Sequence, residues 1–246
     1  MAAKQRIDVL LVERGLCETR AKAQARVLAG EVVVDDQRVD KPGTKVPVEA
    51  EIRLKGEGLK WVSRGGLKLE RALDHFGLSP EGKICVDVGA STGGFTHVLL
   101  SRGAARVYAI DVGYGQLAWP LRSDPRVVNL ERTHIGKLAP GALDPAPNVF
   151  VVDVSFISLT LVLPAILPHL QSEAWGVALI KPQFEVGREH VGKGGIVRDD
   201  ERRQQAAERV LDKAREIGLS PLGLIESPIT GADGNVEYLA AFARAV

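Results

Sequence analysis

Four charged residues stand where an α/β sequence places ligand-facing chemistry. Lys68 opens an amphipathic helix pattern. Asp153 ends the apolar run Asn148-Val-Phe-Val-Val, Lys181 ends Val177-Ala-Leu-Ile, and Glu237 follows Asn235 in the last apolar run. Charges at the carboxyl ends of apolar parallel strands point into the crevice where ligands bind. Lysine avoids burial unless it is paired. Each residue alone reads as a solvated strand end or a structural ion pair. Two lysines and two carboxylates beside a ligand loop read instead as a site for moving or orienting a proton.

Such a loop is present. Val86-Asp87-Val88-Gly89-Ala90-Ser91-Thr92-Gly93-Gly94-Phe95 lies where a strand pattern gives way to a helix pattern. Glycines here allow tight turning and close approach of the backbone to a ligand. The order is Asp-x-Gly-x-x-x-Gly-Gly, so the dinucleotide fingerprint Gly-x-Gly-x-x-Gly is missing. Asp111 ends the next strand pattern, 22 residues after Gly89, where an acid can accept hydrogen bonds from ribose hydroxyls. The combination suits an adenosine cofactor and favours S-adenosylmethionine over a nicotinamide. Its expected contacts are Asp87, Gly89, Ala90, Ser91, Gly93, Gly94, Phe95 and Asp111, with Glu131 on the adenine side. The alternatives are glycines that merely close a turn and a plain surface glutamate.

Other motifs are set aside. Gly187-Arg-Glu-His-Val-Gly192-Lys193-Gly194 nearly spells a phosphate-binding P-loop. It lacks the final Ser or Thr that holds magnesium, and no helix pattern starts immediately after it. It reads as a flexible, substrate-facing loop. The histidines show no metal-ligand spacing, so no metal site is expected. His134 reads as a polar turn residue.

The elements that must position these residues fall into two modules, 1–60 and 61–246. The first carries two short helix patterns, the second N-capped by Thr19 and ending at Gly30, then β-like runs Val32–Val34 and Ile52–Leu54. So short a module is better suited to binding than to catalysis. A Gly- and Lys-rich junction follows, where Trp61 is either a hinge anchor or a surface-loop aromatic. In the second module, strand patterns Ile84–Val88, Arg106–Asp111, Val127–Leu130, Asn148–Asp153, Gly176–Lys181, Leu222–Glu226 and Val236–Phe242 alternate with helix patterns Leu67–Phe76, Gly94–Ser101, Leu159–Leu167 and Asp200–Ile217. This is the rhythm of a doubly wound, Rossmann-like α/β sheet. The short link before the last strand predicts an antiparallel pair at one edge.

Composition narrows the class. The 246 residues are 45% hydrophobic and 26% charged, with net charge +1, an ordinary globular balance without a global basic field. Two cysteines make no disulfide framework. Asp8 interrupts any signal-peptide core, and no apolar run approaches the roughly 20 residues of a spanning helix. A reducing, cytoplasmic setting without membrane insertion is expected.

The second module resembles the FtsJ-like RNA ribose 2'-O-methyltransferases and their Lys-Asp-Lys-Glu tetrad. The matching segments are Ser63-Arg64-Gly65-Gly66-Leu67-Lys68, Val-Asp153-Val-Ser155-Phe156, Ile-Lys181-Pro182-Gln183-Phe184-Glu185 and Gly234-Asn235-Val236-Glu237-Tyr238. The first module resembles the small S-four RNA-binding domain through Thr19-Arg20-Ala21-Lys22-Ala23 and Gly30-Glu31-Val32-Val33-Val34. Their order resembles that of the TlyA / hemolysin A family over nearly the whole chain. His134 stands where that family usually carries Asn.

The resemblance implies 2'-O-methylation of ribosomal RNA, with a cytidine of large-subunit (23S) RNA as the leading target and ribosomal RNA or a ribosomal subunit as partner. The short ends of the chain favour the large-subunit site alone. A ribose hydroxyl must lose its proton as it attacks a sulfonium methyl. A lysine acts as base only when burial or a like charge weakens its hold on its own proton. Lys68 near Lys181 would supply the like charge, while Asp153 and Glu237 would oppose it and orient both ammonium groups. Lys181 is thus the base or main orienting group. RNA is expected on Arg6, Arg20, Lys22 and Arg26, the last three as one stripe along the second helix, with Lys60 and Arg64 continuing towards the site. Charge count supports this weakly, since residues 1–60 hold 12 basic and 10 acidic side chains. The rival readings are a non-catalytic ribosome-assembly factor and a membrane-active hemolysin.

Overall fold

The computed structural model describes residues 4–35, 37–54, 60–231 and 234–244. The chain divides into two compact units, Met1–Lys60 and Trp61–Val246. Part of the expected junction (residues 55–59) and part of the link before the last strand (232 and 233) lie outside the described residues.

The first unit runs β1 (Lys4–Arg6), α1 (Ile7–Glu13), α2 (Arg20–Leu28), β2 (Val32–Val34), β3 (Gln37–Val39), β4 (Lys45–Pro47) and β5 (Ile52–Leu54). Strands pair antiparallel in the order β3-β2-β5, and β1 pairs separately with β4. The small core gathers Ile7, Leu10, Leu11, Ala23, Val27 and Val32. Thr19 caps α2 as its sequence predicts: its Oγ1 accepts from the Lys22 amide at 3.2 Å. β1, β3 and β4 are not in the sequence reading: Lys-Gln-Arg, Gln-Arg-Val and Lys-Val-Pro carry at most one β-branched residue each.

The second unit runs α3 (Gly65–Phe76), β6 (Ile84–Val88), α4 (Gly94–Ser101), β7 (Arg106–Ile110), α5 (Trp119–Arg122), β8 (Val127–Leu130), β9 (Val149–Val152), α6 (Leu159–Ile166), β10 (Trp175–Ile180), α7 (Pro182–Glu185), α8 (Asp200–Glu216), β11 (Leu219–Glu226) and β12 (Tyr238–Arg244). Seven strands form one sheet in the order β11-β12-β10-β9-β6-β7-β8. It is parallel except for β12, which runs antiparallel to both β10 and β11. This is the α/β architecture that the strand and helix rhythm predicts, with the antiparallel edge pair.

The strands are apolar on both sides because both sides are covered. Val86, Val88, Tyr108, Ile110, Phe150 and Val152 face α6 and α8. Cys85, Val107, Ala109, Val149 and Val151 face α3 and α4. The chain winds outward from β6 to β8, then returns to β9 on the other side of β6. The strand order therefore switches between β6 and β9, and ligands in such sheets bind at the carboxyl ends beside that switch.

Candidate active site

The loop after β6 begins at the switch point. Gly89 takes φ 87°, and a Cβ there would strike the backbone carbonyl of Asp153. No side chain fits, so β6 and β9 close backbone to backbone. Ser91 at φ 48° and Gly93 at φ 94° continue the left-handed turning. The Gly89 and Ala90 amides bond the Ile110 carbonyl at 2.9 and 3.1 Å, and the Gly93 amide bonds Ala90 at 2.7 Å. Gly93 then opens α4 without a side-chain cap. The first amides of that helix keep their N–H groups without intrahelical partners, a setting that favours an anionic ligand group.

A cleft of about 580 Å³ lies over this loop. All four charged residues picked out by the sequence line it. Lys68 on α3 lies 2.5 Å from Glu237, just before β12. Lys181, just beyond β10, lies 2.7 Å from Asp153, just beyond β9, and donates to Ser155 Oγ at 2.9 Å. Tyr238 sits across from Ile180 and Val152 across from Ala178, so β-sheet register brings Glu237, Lys181 and Asp153 to the same end of the sheet. Lys68 arrives from the helix packed on one face. Lys68 and Glu237 are 8% and 2% exposed. Burial without pairing would be costly for either.

The expected cofactor contacts divide. Gly89, Ala90, Ser91, Gly94 and Phe95 line the cleft. Gly93 does not; its Cα packs against Leu117 and Leu121. Asp87 is fully enclosed in β6, where Thr96 Oγ1 donates to its carboxylate at 2.6 Å. The structure thus gives Asp87 no surface for direct contact, because a residue inside a sheet covered on both faces has none to offer. Burial, the largest influence, pushes its pKa up to about 7. Asp111 accepts from the Ser91 amide at 2.8 Å and the Gly113 amide at 2.7 Å, so it shapes the loop from below. Glu131 is neither a surface glutamate nor a group facing the cleft. It pairs with Arg122 and accepts from the Gln116 amide at 3.2 Å. Backbone donors around Gly115 hold its carboxyl below the usual range.

The cleft also contains residues that the sequence reading passed over. Phe156 is 90% exposed and adopts φ 65°, a left-handed conformation uncommon outside glycine, asparagine and aspartate. Its ring lies 5.1 Å from that of Phe184, and both line the cleft. The segments around Asp153 and Lys181 carried the signal: each places an aromatic three residues beyond its charged residue. Trp61 is not a surface-loop aromatic. It is buried in the second unit, edge-on to His97 at 5.2 Å and against Gly66. The P-loop-like segment precedes no helix until Asp200. Its far end is pinned by Asn235, whose side chain bonds the Val197 amide at 3.0 Å and the Gly195 carbonyl at 2.8 Å. His134 caps a short turn by accepting from Gly136 at 3.1 Å.

Of the basic residues, Arg64 is exposed on the cleft, and Lys60 is exposed at the last position of the first unit. The expected stripe on α2 does not form. At about 100° per residue, Lys22 and Arg26 share a face, whereas Arg20 lies well over 100° away. Lys22 pairs with Glu18 at 2.5 Å, Arg26 is half-buried, and Arg20 turns with Gln24 towards Asp8.

The comparisons with known proteins bear on this geometry. Residues 61–244 match the FtsJ-like methyltransferase family and residues 5–52 match the S4 domain. The chain belongs to the FtsJ-like methyltransferase family. The 16S/23S rRNA (cytidine-2'-O)-methyltransferase TlyA of Mycobacterium tuberculosis is 47% identical over 239 residues, 97% of this chain and 89% of that protein. The solved structure of a hemolysin-named protein from Streptococcus thermophilus matches with TM-score 0.78 and 48% identity, covering 100% of this chain and 90% of the other. A Listeria monocytogenes structure named for S-adenosylmethionine-dependent methyl transfer shares the fold of the FtsJ-like unit, with TM-score 0.55 at 16% identity over 75% of this chain and 100% of the other. No helix among the described residues is long and apolar enough to cross a membrane.

Proposed function

We propose that this chain methylates a ribose 2'-hydroxyl of ribosomal RNA from S-adenosylmethionine, at a cytidine of the large-subunit (23S) RNA. The observation that carries the reading is the pair of ion pairs, Lys68–Glu237 and Lys181–Asp153, lining one cleft with the Gly89–Phe95 loop. The similarity to TlyA supports the ribosomal substrate. The S4 match over residues 5–52 and the FtsJ-like match over 61–244 support reading 1–60 as the RNA-binding module and 61–246 as the catalytic one. With a ribosomal substrate, the place of action is the cytoplasm.

The loop fits the cofactor. Gly89, without a Cβ, and the turn through Ser91 let the loop backbone border the cleft closely, and the start of α4 offers donors to a carboxylate. Gly89, Ala90, Ser91, Gly94 and Phe95 would hold it. When bound, S-adenosylmethionine supplies an electrophilic methyl on a sulfonium. The chain's own residues handle the acceptor. Lys181 takes or orients the hydroxyl proton of the ribose, and Asp153 and Ser155 fix the position of its Nζ. Lys68 and Glu237 line the same cleft as a second, buried pair. The exposed ring of Phe156, backed by Phe184, offers a stacking face to the base of the acceptor nucleotide. Placing oxygen and methyl in line supplies much of the remaining acceleration.

The test is methyl transfer from labelled S-adenosylmethionine to separated ribosomal subunits, with Lys181→Ala alongside. Label that renders one RNA nucleotide resistant to alkaline cleavage, and is lost in the variant, supports the reading. Cofactor binding without transfer to any RNA would overturn it in favour of an assembly factor. Full transfer by Lys181→Ala, with both affinities unchanged, would remove Lys181 from its role.

A further inference from the structure

Asp8 has no part in the chemistry above, yet it is among the most enclosed charges in the chain. It lies in the first turn of α1 and is 0% exposed. Arg6 grips it with both prongs, Nε to Oδ1 at 2.9 Å and Nη2 to Oδ2 at 3.0 Å. Arg20 Nε reaches Oδ2 at 2.9 Å from α2, and Gln24 Nε2 reaches the same oxygen at 2.8 Å. These contacts hold the Asp8 carboxyl far below the usual carboxylate range, with the Arg6 hydrogen bond the largest influence.

The arrangement is lopsided for a purely structural ion pair. Two arginines converge on one carboxylate, and Lys45 occupies the position directly across from Arg6 in the β1–β4 register. Like charges at facing positions destabilise a strand pair, and the group retains a net positive charge around its buried anion. The arginine side chains remain 43% and 55% exposed. A guanidinium has five N–H donors in a fixed fork. Arg6 gives two to Asp8 and Arg20 gives one, which orients the rest of each fork in a defined direction. A flexible arginine must surrender much of its side-chain freedom on binding, and these two have surrendered it already.

We propose that Asp8 is a positioning residue for RNA: it holds the Arg6 and Arg20 guanidiniums as a rigid pair whose outward N–H groups take neighbouring phosphates of the RNA backbone. The inference rests on the reading of the first unit as the RNA-binding part of a ribosomal RNA methyltransferase.

The sign of one substitution separates this from simple electrostatics. Asp8→Asn adds one positive charge, so a charge count alone gives tighter RNA binding. Preorganisation gives the reverse. Dissociation constants of the full chain for purified, labelled large ribosomal subunits would be measured across a salt series, with thermal unfolding and S-adenosylmethionine affinity as controls. The expected result is about tenfold weaker binding by Asp8→Asn, the order expected when two long side chains must be ordered on binding, with cofactor affinity unchanged. In an Arg6→Ala/Arg20→Ala background the Asp8→Asn effect should shrink below about twofold. Equal or tighter binding by Asp8→Asn overturns the proposal, as does an effect that persists in that background. If Asp8→Asn unfolds the first unit, Arg20→Lys replaces it: the charge stays and the fork is lost. About fivefold weaker binding then supports the proposal, and wild-type affinity overturns it. Failure of the wild-type chain to bind or methylate the subunits overturns the parent reading and this inference together. Normal wild-type binding with an unaffected Asp8→Asn overturns only the inference.

Discussion

Lys68 and Glu237 are 169 residues apart in the chain and 2.5 Å apart in the fold. The pair ties the helix that precedes the sheet to the strand that completes it, inside the cleft. Breaking a buried pair leaves one charge without a partner at about 3–5 kcal/mol. Lys68→Met should therefore lower stability by about 3 kcal/mol, measured by urea unfolding. Adding Glu237→Gln should restore most of that loss, because no lone charge remains, while methyl transfer stays abolished. Recovery of activity along with stability would show the pair to be scaffolding alone.

Gly89 and Asp153 make the second tight relationship. Gly89→Ala would push a methyl group into the Asp153 carbonyl at a φ that alanine resists. Because the displaced strand end carries Asp153, cofactor binding and turnover should fall together. A shift of about 1 Å is worth about 10²-fold in rate. Isothermal titration with S-adenosylmethionine and single-turnover kinetics would check this; a variant with wild-type values in both would contradict the contact.

Phe156 holds a left-handed backbone conformation while almost wholly exposed. Such conformations cost about 1–3 kcal/mol and persist where the side chain has a use. Phe156→Gly relieves the strain and gives up little burial. Its melting temperature should stay within about 4 °C of wild type, the equivalent of about 1 kcal/mol for a chain of this size. Turnover on RNA should nevertheless fall by about tenfold or more, since base stacking is worth about 1–3 kcal/mol. Unchanged turnover would remove the ring from acceptor recognition.

Asp87 gives a pH signature. Burial chiefly, opposed by the Thr96 hydroxyl, raises its folded pKa to about 7, against an unfolded value of about 3.9. Between those values the folded chain binds the proton more tightly than the unfolded chain. This contribution to stability is full below the unfolded pKa and is lost as pH rises through about 7. The slope is at most about 1.4 kcal/mol per pH unit. Asp87→Asn keeps an acceptor for Thr96 and cannot ionise. It should gain stability relative to wild type between pH 5 and pH 8, measured by urea unfolding at both. A constant difference between the two proteins would place the proton elsewhere.

The sequence by itself determined much of this protein. The continuous apolar runs of β6, β7 and β9, the Thr19 cap and the short link before β12 are local patterns, and local physics sets them. The loop glycines were legible because only glycine suits such a backbone, and Lys68, Asp153, Lys181 and Glu237 because charges at the ends of apolar runs have few other places to go. Tertiary structure decided what depends on partners distant in sequence. It paired Lys68 with Glu237 and Lys181 with Asp153, enclosed Asp87 and turned Glu131 to Arg122. It drew Arg20 to a carboxylate on another helix, and it left Phe156 bare beside Phe184. A one-dimensional pattern records how often a residue faces inward. Which carboxylate it meets there follows from strand order and helix placement, and these exist only once the sheet has closed.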